Sequence, residues 1–125
     1  MAGMKTENVT NKVVMLGNNE FCAATITLDA NQTLVAGAIL KRGKGENEFE
    51  VAKSADTFSA VNPAEMKNET CAKKIFSFRA LTAGRVRQDM LRVGTETVTA
   101  ADIDRLRGVG IQPKKVTDLS HLDNQ

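Results

Sequence analysis

Two stretches decide the fold of this chain: residues 76–91, FSFRALTAGRVRQDML, and residues 99–111, TAADIDRLRGVGI. In the first, Phe76 and Phe78 alternate with Ser and Arg, which is the two-residue period of a strand with one buried face. Thr82-Ala83-Gly84 has the composition of a turn, because glycine adopts backbone angles that other residues avoid. The first stretch therefore predicts a β-hairpin, with one strand before this turn and a returning strand after it.

The second stretch predicts a short helix that returns into a strand. Thr99 is a good N-cap residue, and Asp102 three positions later completes a capping-box pair. Gly108 or Gly110 supplies the left-handed residue with which many helices end, and Ile111 brings the chain back to the core. The apolar stripe of this helix has helical spacing and consists of Ala100, Ile103 and Leu106.

The chain before these stretches predicts short strands separated by turns. Gly37 interrupts an apolar run, which indicates a bulge or a close approach of another backbone segment. Pro63, with Asn62 as its cap, predicts a short helix that extends to Lys67. The sequence therefore indicates a mainly β (α+β) domain, a small barrel or sandwich, with one firm helix near its C-terminal end. The predicted strands are residues 13–16, 21–28, 34–40 and 49–51.

Length and polarity predict one domain with polar ends. The 125 residues fit a single domain. Residues 1–11 are polar and aperiodic, which predicts a flexible arm, residues 12–112 form the β-rich domain, and residues 113–125 form an extension. No apolar run reaches the roughly 18 residues of a membrane span, and no apolar leader follows Lys5, so neither a span nor a signal peptide is predicted.

The composition bears on nucleic-acid binding. The chain has five Phe, no Trp and no Tyr, so aromatic platforms for stacking single-stranded bases are poorly supplied. Its formal net charge of +2 is too small to require a polyanionic partner. We therefore predict no direct contact with nucleic acid, and keep a small nucleic-acid-binding β-barrel as the alternative interpretation.

Groups suited to catalysis or metal binding are few and scattered. The single histidine, His121, and the separated Cys22 and Cys71 do not provide the ligand set of a structural zinc site. Asp102 and Asp104 are two positions apart on the predicted helix and so point to different faces. We predict no enzymatic activity and no cofactor or metal. The cysteines remain open between two free thiols and a disulfide.

Basic residues mark two candidate contact regions. The segment 41–47 combines glycines and cations without the ending of a phosphate-binding loop, which predicts an exposed hairpin tip. Arg85 and Arg87 share a predicted strand face with Asp89, and arginine is enriched at protein interfaces because its planar fork suits carboxylates. The candidate partner-contact residues are Lys41, Arg42, Lys44, Arg85, Arg87 and Asp89.

The order of these motifs resembles one protein family. Residues 29–40, DANQTLVAGAIL, form a turn followed by Leu-x-x-Gly-x-x-Leu before a variable middle. Residues 84–89, GRVRQD, then precede the capped helix, and residues 106–111, LRGVGI, end it. Over residues 20–112 this order and spacing is similar to the capsid-decoration and head-fibre-base proteins of tailed bacteriophages.

The resemblance implies a non-enzymatic virion protein on the exterior of a phage capsid, made in the cytoplasm of the bacterial host. It implies a homotrimer that contacts the major capsid protein, with other head-fibre proteins as further candidate partners, and that does not contact a membrane. Head-fibre members continue into a trimeric shaft, whereas this sequence sustains no heptads, so a decoration or auxiliary capsid subunit is favoured. We also expect the arm 1–11 to attach to the capsid by adding a strand to an exposed sheet edge.

Overall fold

The computed structural model describes residues 13–15 and 17–115, and these form a mainly β domain, as the sequence predicts. Its helix, α1, spans Ala100–Gly108, and a single 3-10 turn spans Gln88–Met90. The strands are β1 (Glu20–Leu28), β2 (Thr33–Leu34), β3 (Ile39–Arg42), β4 (Phe49–Val51), β5 (Ala60–Val61), β6 (Met66–Lys67), β7 (Lys74–Arg87), β8 (Arg92–Val93), β9 (Glu96–Thr97) and β10 (Ile111–Lys114).

Five strands form a nearly closed barrel. The strand order is β1-β7-β5-β3-β4, and every hydrogen-bonded pair along this path is antiparallel. The barrel closes where β1 meets the start of β4, through a parallel bridge between Thr25 and Glu48. The Thr25 N–H donates to the Asn47 carbonyl oxygen at 2.8 Å. This one bridge leaves β1 and β4 much more loosely joined than the nine register pairs that join β1 to β7.

Barrel strands β3 and β5 and the middle of β7 have buried residues on both faces. Neighbouring residues alternate between an inner cluster, to which all five barrel strands contribute, and an outer cluster beneath α1. Such strands read as continuous apolar runs because neither face meets water. The inner cluster consists of Ala24, Ile26, Leu28, Leu34, Ala38, Leu40, Phe49, Ala60 and Ala80. The outer cluster consists of Val13, Ile39, Ala52, Phe58, Val61, Leu81, Val86, Leu91, Val93, Leu106 and Ile111.

The C-terminal helix and its return strand form as predicted. The Thr99 side-chain oxygen accepts from the Asp102 N–H at 3.3 Å, and the Asp102 carboxylate accepts from the Thr99 N–H at 2.9 Å. Gly110 has the left-handed φ of 93° from which the chain enters β10. β10 pairs in parallel with β7 and continues to Lys114, past the predicted boundary at residue 112. The predicted arm 1–11 lies outside the described residues.

The predicted hairpin at Thr82-Ala83-Gly84 is wrong. β7 runs unbroken through this segment because it finds partners on both sides of Gly84: β1 before it, and residues 13–15 after it. Asn19 bridges the interruption between those two partners. Its Nδ2 donates to the Met15 carbonyl oxygen at 2.7 Å, and its Oδ1 accepts from the Arg85 N–H at 3.2 Å. The side chain thus supplies the donor and acceptor of a missing strand residue.

Asn19→Ala is expected to lower the free energy of unfolding by about 1–2 kcal/mol, because two backbone groups at this break lose their partners. Urea denaturation measures the difference. Asn18→Ala is the matched control, since Asn18 is exposed and adjacent, and it is expected to change stability by less than about 0.5 kcal/mol. Equal effects of the two substitutions would contradict the bridging role of Asn19.

Two further predictions were wrong between residues 34 and 67. The predicted helix after Pro63 is replaced by β6, which pairs with β2, and Asn62 does not cap a helix. Its buried side chain instead donates to the Val35 carbonyl oxygen at 2.9 Å. The predicted strand 34–40 is divided into β2 and β3 by a turn at Gly37, where φ is 97°. Gly37 lies against the backbone of residues 90–91, which confirms the second of the two alternatives predicted there, a close backbone approach.

Candidate partner-binding surfaces

The hairpin between β3 and β4 carries the first group of predicted contact residues. Lys41 on β3 lies 3.9 Å from the Glu50 carboxylate and 3.5 Å from that of Asp56. The Lys53 N–H donates to the Asp56 carboxylate at 2.8 Å, and this bond, together with the charge of Lys41, lowers the pKa of Asp56. Lys41 is therefore already paired within the fold.

The tip of this hairpin is held by its own contacts. The Arg42 Nη2 donates to the Glu46 carbonyl oxygen at 3.2 Å, and its guanidinium lies 5.5 Å from the centre of the Phe49 ring. The Gly45 N–H donates to the Glu48 carboxylate at 3.0 Å. Lys44 is exposed at the tip. Lys44 is thus the exposed cation of the tip, whereas Lys41 and Arg42 are engaged in the contacts described above.

The second predicted group lies where β7 ends. Asp89 is in the 3-10 turn rather than on the strand, yet its carboxylate accepts from Nε and Nη2 of Arg87 at 3.3 and 3.2 Å. Arg85 is exposed two residues earlier on β7. The structure thus brings Arg87 and Asp89 together as a bidentate pair. The six predicted residues fall into two groups, one around β3 and its tip and the other around the end of β7.

An exposed sheet face was missed by the sequence analysis. The outward side of β1 and of the first half of β7 carries Phe21 and Ile75, which are 37% and 67% exposed. Between them lie small or hydroxyl residues, such as Ala23 paired with Arg79 and Thr25 paired with Ser77. Because Phe76 and Phe78 alternate with Ser77 and Arg79, Ile75 falls on the polar face of this strand. A large apolar residue on that face was the available signal in the sequence.

Helix α1 and the outer cluster cover the other end of this outward face but not this part. Leu81, on the same side of β7 as Ile75, is completely buried in the outer cluster. The Arg79 guanidinium lies 6.0 Å from the centre of the Phe21 ring, at the boundary between the covered and uncovered parts. Residues 75–79 of β7 and 21–27 of β1 therefore form an uncovered surface, which we call the β1–β7 face.

An open groove of about 700 Å³ lies beside the turn at Gly37. One wall is formed by residues 32–38 and the other by residues 89–95. Its apolar side chains include Val35, which is 37% exposed, together with Val51 and Met90. The charged side chains that line it are Asp89 and Arg92. The groove thus combines apolar walls with one carboxylate and one guanidinium.

The remaining candidate groups have structural positions. Cys22 and Cys71 are free thiols, the first half-buried and the second exposed, which resolves the alternative left open by the sequence. Asp102 is buried and engaged in the helix cap. Over residues 13–15 and 17–115, no group of three or more potential metal ligands is clustered, and no helix is long and apolar enough to cross a membrane.

Comparison of the chain with protein-family models, with curated proteins and with solved structures found no match. The functional argument therefore depends on the motif order seen in the sequence and on the surfaces described above. Of these surfaces, the β1–β7 face is the one on which large apolar side chains are most exposed.

Proposed function

We propose that this chain is a non-enzymatic structural protein that binds the outer surface of a phage capsid as a decoration or auxiliary capsid subunit. The proposal takes its class of partner from the resemblance of residues 20–112 to decoration and head-fibre-base proteins. The observation that carries it is the uncovered β1–β7 face, which exposes Phe21 at one end and Ile75 at the other. Exposed large apolar side chains that share one face are typical of a surface that binds another protein.

The chemistry of the β1–β7 face suits a flat protein surface. Ile75 is the most exposed large apolar side chain among the described residues, at 67%. Ala23 and Ser77, which lie between Phe21 and Ile75 on this face, are small, so a partner can approach the sheet closely. Phe21 and the adjacent Arg79 combine an aromatic ring with a guanidinium, and both residue types are enriched in interfaces.

Two exposed cations outside this face offer further contacts in the proposed complex. Lys44 and Arg85 are exposed and are available to carboxylates of the major capsid protein. Exposed pairs of this kind contribute about 0–1 kcal/mol each and influence orientation and association rate more than affinity. In a homotrimer three copies of the face would act together, so that individually weak contacts add through avidity.

Purified protein is expected to co-sediment at fixed stoichiometry with expanded phage heads that lack their own decoration protein, and to have the native mass of a trimer. Ile75→Asp is expected to weaken this attachment at least about tenfold, because it places a charge in the proposed apolar contact. Val109→Asp is the matched control: Val109 is also an exposed apolar residue, at 39%, but lies at the end of α1.

Two results would contradict the proposal. Failure of the protein to co-sediment with any head preparation would exclude the capsid partner. If Ile75→Asp left attachment unchanged, the β1–β7 face would be excluded as the contact. A strongly salt-dependent affinity for oligonucleotides would instead favour the nucleic-acid-binding barrel.

A further inference from the structure

We propose that the groove between residues 32–38 and 89–95 binds an extended segment of a partner protein in which an apolar side chain adjoins a carboxylate. This inference is independent of the proposed capsid function and of the β1–β7 face. It depends on the size and walls of the groove, on the guanidinium of Arg92, and on the open edge of β2.

The groove has the size and the walls of a binding site. Its volume of about 700 Å³ lies within the range of about 300–1,000 Å³ that is typical of ligand sites. Val35 on one wall is 37% exposed, although the adjacent Leu34 is buried, and the half-buried Met90 lies on the other wall. An apolar side chain between these walls would remove from water a surface that the fold leaves open.

Arg92 supplies a positioned cation at the groove. Its Nη1 donates to the carbonyl oxygens of Asp89 and Leu91 at 2.9 and 2.8 Å, and these two bonds hold the side chain in place. Among the described residues, no carboxylate forms an ion pair with Arg92, and its Nε and Nη2 have no hydrogen-bond partner. A guanidinium binds a carboxylate through two such nitrogens, with two parallel hydrogen bonds.

The charges at the groove favour an acidic ligand. Asp89 also lines the groove, but its carboxylate accepts two hydrogen bonds from Arg87, at 3.3 and 3.2 Å. Because this pairing largely neutralises Asp89, the charge left along the groove is that of Arg92. A carboxylate of the ligand would meet this guanidinium in half-buried, partly apolar surroundings, where such a pair is stronger than on an open surface.

The open edge of β2 favours an extended segment as the ligand. β2 pairs with β6 on one edge, and within the described part of the chain no strand pairs with its other edge. The Gln32 carbonyl oxygen accepts from the Asn68 N–H at 2.9 Å, so in this antiparallel pair the backbone groups of Thr33 point away from β6. Thr33 also lines the groove. A peptide in the groove would therefore pair with Thr33 as an added strand.

The test is an NMR titration of the full chain with a six-residue peptide. The peptide is acetylated and amidated, and its single charged side chain is an aspartate that follows a leucine. We expect the methyl resonances of Val35, Val51 and Met90 to shift, while that of Ile75 on the β1–β7 face stays in place. A peptide with asparagine instead of aspartate is the matched control and should bind at least about tenfold more weakly, because it offers Arg92 no carboxylate.

Two variants assign the contact. Arg92→Gln should abolish the preference for the aspartate peptide. Because Arg92 also bonds to two carbonyl oxygens of the fold, Val35→Glu is the second variant: it adds a carboxylate at an exposed position of the groove wall and should weaken binding of the aspartate peptide at least about tenfold. Val109→Glu, at a similarly exposed residue beside the end of α1, is its control and should leave binding unchanged.

Three results would overturn the proposal. The first is an aspartate peptide that leaves the groove resonances in place at millimolar concentration, and the second is equal binding of the two peptides. The third is equally tight binding of hexanoate, which has an apolar chain and a carboxylate but no peptide backbone, because the ligand would then be a small carboxylic acid. No capsid is present in these titrations, so their outcome is separate from that of the proposed function.

Discussion

Gly37→Ala is expected to lower the free energy of unfolding by about 3 kcal/mol or more, because the added methyl group would overlap the backbone of Met90. A Cβ at this position would lie 2.0 Å from the Met90 carbonyl oxygen and 2.7 Å from its carbon. Two backbone hydrogen bonds hold the glycine in place. Its N–H donates to the Asn62 carbonyl oxygen at 2.8 Å, and its own carbonyl oxygen accepts from the Arg92 N–H at 3.0 Å. Urea denaturation followed by circular dichroism measures the loss.

Two other glycines separate steric overlap from backbone strain. Gly94 also has a positive φ, 67°, but nothing lies within 4 Å of its added Cβ, so Gly94→Ala should cost only about 1–2 kcal/mol. Gly108 lies in α1 with equally open surroundings, and Gly108→Ala should raise stability by up to about 1 kcal/mol. If Gly37→Ala were no more harmful than Gly94→Ala, the approach of residues 90–91 would not be rigid.

Asn68→Asp is expected to cost about 3 kcal/mol or more at neutral pH, because it places a buried negative oxygen against carbonyl oxygens that now accept hydrogen bonds. Asn68 is fully buried, and its Nδ2 donates to three carbonyl oxygens, those of Leu28, Asp29 and Ala72, at 3.1, 3.0 and 2.8 Å. A carboxylate of nearly the same shape would place a negative oxygen against all three. The urea midpoint at pH 7 measures the effect.

The pH dependence of this variant identifies the cause. Burial and the three carbonyl oxygens should raise the folded-state pKa of the introduced carboxyl group above its unfolded value of about 3.9. The stability deficit should therefore be smallest below about pH 4 and grow as the pH rises through the folded-state pKa. Asn47→Asp, at an exposed position, is the control and should show little deficit. A deficit that does not vary with pH would mean that packing, not charge, is responsible.

Local periodicity predicted the strands whose two faces differ, and the helix with its cap. On β1, Ala24, Ile26 and Leu28 alternate with residues that are more exposed, so the inward face could be read directly. The capping box at Thr99 and Asp102 needs only residues three positions apart, and its two hydrogen bonds are present. Features that depend on near neighbours in the chain are in general readable from sequence.

Residues whose partners are distant in the chain were misread. Gly84 predicted a turn, but the side chain of Asn19, 65 positions earlier in the chain, lies against Gly84 and stabilises the continuous strand. Asn62 suited a helix cap, but its amide finds Val35, 27 positions away. In both cases the local composition fits two structures equally well, and the tertiary contact selects one.

The contact surfaces show the same difference between features formed by near neighbours in the chain and features formed by distant segments. The sequence identified the exposed cations of the hairpin tip and the Arg87–Asp89 neighbourhood, since those residues lie close together in the chain. It missed the groove, whose walls are residues 32–38 and 89–95, and it did not recognise Ile75 as uncovered. Whether a strand face is covered depends on where α1 and the outer cluster pack, which no two-residue period encodes.

By itself, the sequence determined a mainly β domain, a capped C-terminal-region helix, and a glycine at position 37 that marks a bulge or a close backbone approach. These follow from alternation, capping chemistry and the missing side chain of glycine, all of which act over a few residues. Only the tertiary structure decided that β7 runs unbroken, that the barrel closes at Thr25 and Glu48, and which face stays uncovered. Those outcomes depend on long-range pairing, in which a segment adopts the conformation that satisfies its backbone groups and buries its apolar side chains against distant partners.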